Sequence, residues 1–412
     1  MHVLVVTDNF VPERNAPALR THAHCKRWGQ AGIGVTVLTS VPNFPAGVVI
    51  APYRNRLIQR ETIDGVEVVR VWTYFAPNEG SVRRSIDFAS FGISAFLAGL
   101  WQKADVVVAT SPQLLAGAAG ALLAWVRAMP FLLEVRDLWP DSVVSLGMMS
   151  ERSVAVRMLR WVERHIYRRA ARIVTTNEGL RKRLIARGVP AEKIGVVPNG
   201  VDAAIFYPRA APAALLETHR LEGQFVVGYI GTQGLAHDME TIIAAAEKLR
   251  GSDVVFFLVG EGARHHDLVK QVRQRHLGNV RFVRSVPAAE VPDYIACCDA
   301  ALVPLRQTET LSDTMPSKIF ELAAMEKPII IGAEGIAVDL VRDRHAGLAV
   351  PPENADALVA AILRLRNEPG LARSLAGGCR ALAAEFSRDA FAARMLDEIK
   401  LAAKIRNAPS PC

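Results

Sequence analysis

Cysteine is scarce in this 412-residue chain: there are five, Cys25, Cys297, Cys298, Cys379 and Cys412, at spacings that suit neither pairing nor metal ligation. Cys297 and Cys298 are adjacent, an arrangement that neither a routine disulfide nor a zinc site uses. A disulfide-stapled scaffold is therefore excluded, and a reducing cytoplasm is the expected setting. A charged-then-apolar leader is also missing, since Met1 runs directly into the short apolar stretch 2–6. Aromatic residues make up only 7%, whereas half of all residues are hydrophobic. That balance fits an α/β protein with substantial cores. The length exceeds one ordinary domain, so two or three are expected.

The net charge of +8 is spread unevenly. Residues 1–190 hold 24 Lys plus Arg against 14 Asp plus Glu, while residues 191–412 hold 25 against 27. A basic first half beside a near-neutral second half calls for an anionic partner. No aromatic-interleaved basic motif of a nucleic-acid reader is present, so no nucleic acid is expected. An anionic membrane surface or a phosphate-bearing substrate fits better.

Short β-branched runs alternate with longer helical stretches from start to finish. Residues 2–7, 35–39, 66–71, 105–110, 131–135 and 172–175 read as buried strands, with helical spacing between most of them, as over 16–31 and 154–171. The cycle restarts at 225–231 and continues through 253–260, 279–283, 299–304 and 328–331. Two such series imply two doubly wound parallel sheets. The break falls near Pro198-Asn199-Gly200-Val201-Asp202, a turn-rich string. Helical stretches over 355–366, 371–386 and 388–405 close the chain, the last long enough to return to the first domain. The expected division is 1–195, 196–386 and a crossover helix over 387–412.

Residues 106–126 are uncharged over a length that could span a membrane. Thr110-Ser111-Pro112 nevertheless cuts them into a strand over 106–110 and a small-residue helix over 114–126. The stretch 86–101 carries Phe88, Phe91, Phe96, Leu97, Leu100 and Trp101, with Asp87 as its one charge and Arg83 and Arg84 just before it. It reads either as a packed core helix or as an interfacial helix with both arginines at head-group level.

The best local chemical signal lies in residues 306–321. A strand ending at Pro304 leads into a polar loop, and Pro316 suits the first turn of a helix. Backbone N–H groups from Ser317 onward would then seat a diphosphate. Lys318 could offset its charge, and Glu321, three residues on, could accept hydrogen bonds from vicinal ribose hydroxyls. Taken alone, these residues equally describe an exposed pair on a capped helix.

They do not stand alone. The spacing Asp313-x7-Glu321, continuing through Met325-Glu326-Lys327-Pro328, resembles the E-x7-E segment of family-four glycosyltransferases, which adopt the GT-B fold. Pro198 to Asp202, Tyr229-Ile230-Gly231-Thr232, Gly260-Glu261-Gly262 and Cys298 to Pro304 fall where that family has its landmarks. Asn15-Ala16-Pro17, Pro42-Asn43-Phe44-Pro45, Tyr53-Arg54-Asn55, Arg70-Val71-Trp72 and Arg136-Asp137-Leu138-Trp139-Pro140 look closer still to the WbuB-like branch, bacterial O-antigen and capsule enzymes regarded as fucosamine transferases.

The resemblance implies two Rossmann-like domains facing across a cleft, with the C-terminal helix returning to the first. It implies retention of configuration and a UDP-sugar as donor substrate, with no cofactor and no metal. The sugar would be an N-acetylated amino-deoxyhexose or a hexosamine. Its acceptor would be a lipid-linked saccharide, and the enzyme would be peripheral on the inner face of the cytoplasmic membrane. The sequence agrees on metal, because no two aspartates stand two apart, so the Asp-x-Asp ligand pair of the other large transferase fold is missing. Donor contacts are expected from Gly231, Thr232, His237, Arg284, Ser285, Asp313, Ser317, Lys318 and Glu321. Asn15 and Arg20 would open the first helix toward diphosphate or acceptor, although Arg20 could equally be a surface charge. Asp137 would orient or deprotonate the acceptor hydroxyl or else cap the turn after it, with Arg136 near a phosphate or the sugar.

Three departures from the family pattern bear on the site. Asp313 stands where the first Glu is usual, Thr232 and His237 stand where Arg and Lys are usual, and Arg136-Asp137 stands where many relatives place His. Diphosphate neutralisation is therefore expected to lean on Lys318. Gly260 and Gly262 read as a structural turn, and His265 with His266 points to different faces of a helix, away from a metal site. Two other classes share these features: a non-hydrolysing nucleotide-sugar 2-epimerase, and a non-catalytic sugar-nucleotide-binding partner. The first would convert a free UDP-sugar without acceptor; the second would tolerate loss of Lys318 and Glu321.

Overall fold

A computed structural model describes residues 1–13, 15–44, 47–75, 81–111, 113–141, 144, 149–308 and 311–405, with only the backbone of Ser81, Val82 and Arg84. Pro45, the Arg84 side chain, Pro112, the end of the turn after Asp137 and Cys412 lie outside the described residues. The chain forms two compact units, Met1–Pro198 with Arg388–Cys412, and Asn199–Ser387.

In the first unit the order is β1 His2–Val6, α1 Ala16–Gln30, β2 Gly34–Ser40, β3 Ile58–Ile63, β4 Val66–Val71, α2 Ser81–Gly99, β5 Val106–Thr110, α3 Leu114–Val126, β6 Phe131–Val135, α4 Val154–Arg169, β7 Arg172–Thr175, α5 Glu178–Ala186 and β8 Ile194–Val196. The sheet runs β3-β4-β2-β1-β5-β6-β7-β8. Its central strands are buried and mainly β-branched or apolar because helices cover both faces. The helices α2, α3 and α4 share one core with β1, β5 and β6. Trp28 of α1 and Met395, Leu396 and Ile399 of the last helix, Arg388–Ile405, pack in the core on the other.

The sheet is not wholly parallel, as the sequence had suggested. β3 pairs antiparallel with β4 through Asp64 and Gly65, both at positive φ, the geometry of a two-residue Asp-Gly hairpin. It escaped the sequence because Ile58–Ile63 is a half-exposed edge strand, apolar only at its ends. β8 was missed because only three residues form it.

The second unit repeats the plan: α6 Ala213–His219, β9 Phe225–Ile230, α7 Met239–Lys248, β10 Val254–Val259, α8 His265–Gln274, β11 Val280–Val283, α9 Val291–Ala296, β12 Ala300–Pro304, α10 Lys318–Ala324, β13 Ile329–Gly332, α11 Ile336–Asp343, β14 Gly347–Val350, α12 Ala355–Asn367 and α13 Pro369–Glu385. Its sheet is β11-β10-β9-β12-β13-β14, parallel throughout. Arg388–Ile405 (α14) belongs to the first unit, against α1 and β7. The expected transmembrane break also holds: β5 and α3 are separate elements, and no helix among the described residues is long and apolar enough to cross a membrane.

Candidate functional site

In the second unit the site grows from the carboxyl end of β9. Tyr229 is fully buried, and its hydroxyl donates to the carbonyl of Thr232, which turns the chain sharply after Gly231. Gly231 sits at φ +142°, and a Cβ there would lie 2.9 Å from the Lys318 ammonium. Glycine is therefore what lets Lys318 lie against the main chain. From α10, Lys318 Nζ rests 3.9 Å from the Tyr229 ring centroid, a cation–π contact. It is shielded from solvent and makes no hydrogen bond. Burial pushes its pKa down to about 7, with Glu321 pulling the other way.

His237 joins this cluster. Its ring meets Tyr229 edge-on at 6.0 Å, and its Nδ1 is likewise buried and unpartnered. Burial, then Lys318, lowers it to about 3, so it is neutral at physiological pH. A buried lysine drawn toward neutrality thus stands beside a neutral imidazole, and neither the ammonium nor the imidazole Nδ1 has a hydrogen-bond partner.

The loop after β10 backs the site. Gly260 can approach because a Cβ there would strike the Gly231 carbonyl at 2.1 Å. Gln233, completely buried, donates from Nε2 to the Gly260 carbonyl at 3.1 Å, and its Oε1 meets His265 Nδ1 at 2.8 Å. Nothing in the sequence marked His265 beyond an unlikely metal site, and nothing marked Gln233 except its place between Gly231 and Gly234. Among the described residues no cluster of three metal-ligating side chains is present.

Other expected donor residues land differently. α10 begins at Lys318 rather than Pro316, and the N–H groups of Ile319 and Phe320 are already given to Pro316 and Ser317 carbonyls at 3.2 and 3.1 Å. These short-range bonds tighten the first turn, so fewer free donors exist than the sequence suggested. Ser317 makes no side-chain cap. Glu321 is half-buried three residues beyond Lys318, and Asp313 is half-buried in the 3-10 turn Leu311–Asp313. Thr232 is exposed. Arg284 and Ser285 are exposed after β11, with Arg284 reaching Glu261 at 3.8 Å.

In the first unit, Arg136 and Asp137 follow β6. Ser111, after β5, donates its N–H to the Glu134 carbonyl and accepts the Arg136 N–H, each at 2.9 Å. Arg136 Nη1 is buried without a partner. Burial draws this guanidinium down to about 10, against the pull of Glu134, so it stays charged. Asp137 is half-buried.

Arg20 is neither a surface charge nor a free ligand. It is buried, with Nε 2.9 Å from Glu134 Oε1 and its terminal nitrogens donating to the carbonyls of Pro198 and Val197 at 2.6 and 2.8 Å. A glutamate in a fully buried strand requires such a partner. Burial pushes Glu134 up, but Arg20, then Arg136, hold it well below the ordinary range. Asn15 is also spoken for: its Oδ1 accepts the Ala18 N–H at 2.9 Å as the N-cap of α1. Asp8, just past β1, was not foreseen. Burial, then Asp87 and Glu13, push it up to about 8, a carboxyl able to exchange a proton near neutrality.

Two family-level matches fall one on each unit: a glycosyl transferase 4-like domain over residues 15–200 and a glycosyl transferases group 1 domain over 224–368. The chain is a glycosyltransferase. A glycosyl transferase of Escherichia coli K12 named for colanic acid biosynthesis, WcaI, is 25% identical over 374 residues, 88% of this chain and 91% of that protein. Sucrose-phosphate synthase from Thermosynechococcus elongatus matches the glycosyltransferase with a TM-score of 0.77 at 20% identity, over 99% of this chain and 100% of that one. Anabaena HepE, crystallised with UDP-glucose, gives 0.73 at 17% identity over 97% and 99%. The fold of the glycosyltransferase is GT-B, in keeping with its two α/β units, one sheet wholly parallel and the other parallel except for its edge strand β3.

Proposed function

We propose that the glycosyltransferase moves an N-acetylated amino-deoxyhexose or hexosamine from a UDP donor to a polyprenyl-diphosphate-linked saccharide during bacterial surface-polysaccharide assembly, at the inner face of the cytoplasmic membrane. The observation that carries the donor assignment is the buried, unpartnered Lys318 ammonium at the end of β9. A diphosphate arriving there supplies the missing counter-charge. The relation to WcaI supports polysaccharide assembly, and the UDP-glucose complex of HepE, a neighbour in fold, favours a uridine donor. The WbuB-like strings of the first unit favour the amino sugar.

The bond from the anomeric carbon to the diphosphate oxygen breaks, its electron pair leaving with UDP. Lys318 stabilises the charge that develops on that leaving group, and preorganised cations of this kind supply much of such catalysis. His237 Nδ1, neutral, is left to accept a hydrogen bond from the sugar or ribose. Glu321 accepts the ribose hydroxyls. The acceptor oxygen bonds the anomeric carbon from the face that UDP leaves, retaining configuration, and its proton passes to Asp137 or to the departing phosphate. Arg136 steadies an acceptor phosphate. No metal ion is needed for charge that the protein's own cations meet.

The test is incubation with UDP-sugars and a lipid-linked saccharide, reading UDP release and product anomeric configuration. Release with one UDP-amino sugar and a retained linkage is expected. No release with any donor, or epimerised sugar without acceptor, contradicts the proposal.

A further inference from the structure

The first unit carries a line of large apolar side chains on the outside of each of three neighbouring helices. On α2, Ile86, Ile93 and Leu97 are exposed seven and four residues apart, and Trp101 just beyond the helix extends the line. That spacing is one helical stripe. α3 exposes Leu122, Trp125 and Val126, and α4 exposes Val154, Met158 and Trp161. Trp101 is 77% exposed, Trp125 58% and Trp161 54%. Three tryptophans held open on one helical layer are not a by-product of packing.

Side-chain contacts join the stripes. Arg127, at the end of α3, donates from Nη1 to the carbonyls of Gly99 at 3.1 Å and Gln102 at 2.6 Å, pinning that end beside Trp101. Arg169, at the end of α4, places its guanidinium 4.8 Å from the Trp125 ring centre. The opposite face of the sheet is covered by α1 and α14, so the surface faces one way.

Charge selects what covers it. The described side chains of α2, α3 and α4 include no exposed acid, since Asp87 and Glu163 are buried. α4 instead exposes Arg157, Arg164, His165, Arg168 and Arg169, and outside the helices the exposed Lys103 and Arg152 stand against the exposed acids Asp105 and Glu151. Indole rings rest at the head-group level of a bilayer, and neighbouring cations are drawn to anionic lipid. We infer that the outer face of α2, α3 and α4 docks the glycosyltransferase on a bilayer containing anionic phospholipid, with Trp101, Trp125 and Trp161 as interfacial anchors. The inference rests on the membrane location in the reading above, deepening it to a named surface, and uses none of the donor chemistry.

Flotation of the full chain with phosphatidylcholine vesicles, with and without phosphatidylglycerol, tests it. Binding is expected only with phosphatidylglycerol, weakening as salt rises. The triple variant W101S/W125S/W161S and the charge variant R157Q/R164Q/R168Q should each bind at least about tenfold more weakly, with circular dichroism unchanged because the residues are exposed. Equal binding to both vesicle types, or unaltered binding by a folded triple variant, overturns the proposal. So does sedimentation showing a dimer that the triple variant disperses, since a second copy then covers the face. UDP release with a short-chain, water-soluble acceptor is followed in parallel. Release without vesicle binding sinks the docking surface alone; vesicle binding without release with any acceptor sinks the transfer chemistry alone.

Discussion

Arg20 in the first unit and Lys318 in the second are both cations drawn out of water, and they are treated in opposite ways. Arg20 is met by Glu134 and by two backbone carbonyls. Lys318 is met by an aromatic face and has no hydrogen-bond acceptor for its ammonium. A satisfied buried charge holds structure together, whereas an unsatisfied one persists at a cost that the fold must have a use for. Arg70 follows the first pattern: it is fully buried, paired with Glu61 and bonded to the Ser40 and Val11 carbonyls. Arg136 follows the second, with one nitrogen left open. The contrast sets Arg20 and Arg70, whose charge is met inside the fold, apart from Lys318 and Arg136, the residues proposed to meet donor and acceptor.

The largest effect expected from breaking the contrast is at Arg20. Arg20→Leu leaves Glu134 buried and unpaired and should destabilise the protein by about 3–5 kcal/mol in urea unfolding; a loss below about 1 kcal/mol would make Arg20 available for ligand after all. Lys318→Met should do the reverse. Donor kcat/KM is expected to fall about 10²–10³-fold, while the ligand-free protein becomes more stable near neutral pH by on the order of 1–3 kcal/mol. The sign follows from the lowered value of about 7. The unfolded chain keeps its lysine proton up to about 10.4 and the folded chain only to about 7, so wild-type stability rises with pH across that window. The advantage of the variant should therefore fade toward pH 10 in thermal melts.

Smaller effects sharpen the picture. Arg136→Gln should raise the acceptor KM about tenfold, as loss of one hydrogen bond to a charged group does, with the donor KM unchanged; a change in donor KM instead would place Arg136 elsewhere. Gly231→Ala puts a methyl group 2.9 Å from the Lys318 ammonium and at a strained φ. A loss of donor affinity of about tenfold is expected, read by calorimetry.

Much of the architecture was legible in the sequence because buried parallel strands are rich in β-branched and apolar residues: 66–71, 131–135 and 172–175 fall on β4, β6 and β7 to the residue, even though Glu67, Arg70, Glu134 and Arg172 lie within them. Two edges were not legible, since β3 is polar throughout its interior and β14 is a half-exposed run of only four residues, whereas the edge strand β11 fell within 279–283. At the site, Lys318 stood out through its spacing to Glu321. What spacing could not convey is that Lys318 folds back onto Tyr229 and Gly231, nearly ninety positions earlier. Arg20 was misjudged for the same reason. Its partner Glu134 lies across the sheet, and periodicity within α1 says nothing about what β6 buries opposite it.

Proton uptake on donor binding tests the proposed role of Lys318 as counter-charge to the donor diphosphate. UDP-N-acetylglucosamine, whose diphosphate has no group titrating near neutrality, is titrated into the glycosyltransferase at pH 8 in two buffers of different ionisation heat. Lys318 is mostly neutral there in the free protein and should take up nearly one proton on binding, with affinity falling about tenfold for each pH unit above 7. In Lys318→Met the uptake should vanish. Binding with no proton uptake in the wild type, or with equal uptake in both proteins, would contradict the account.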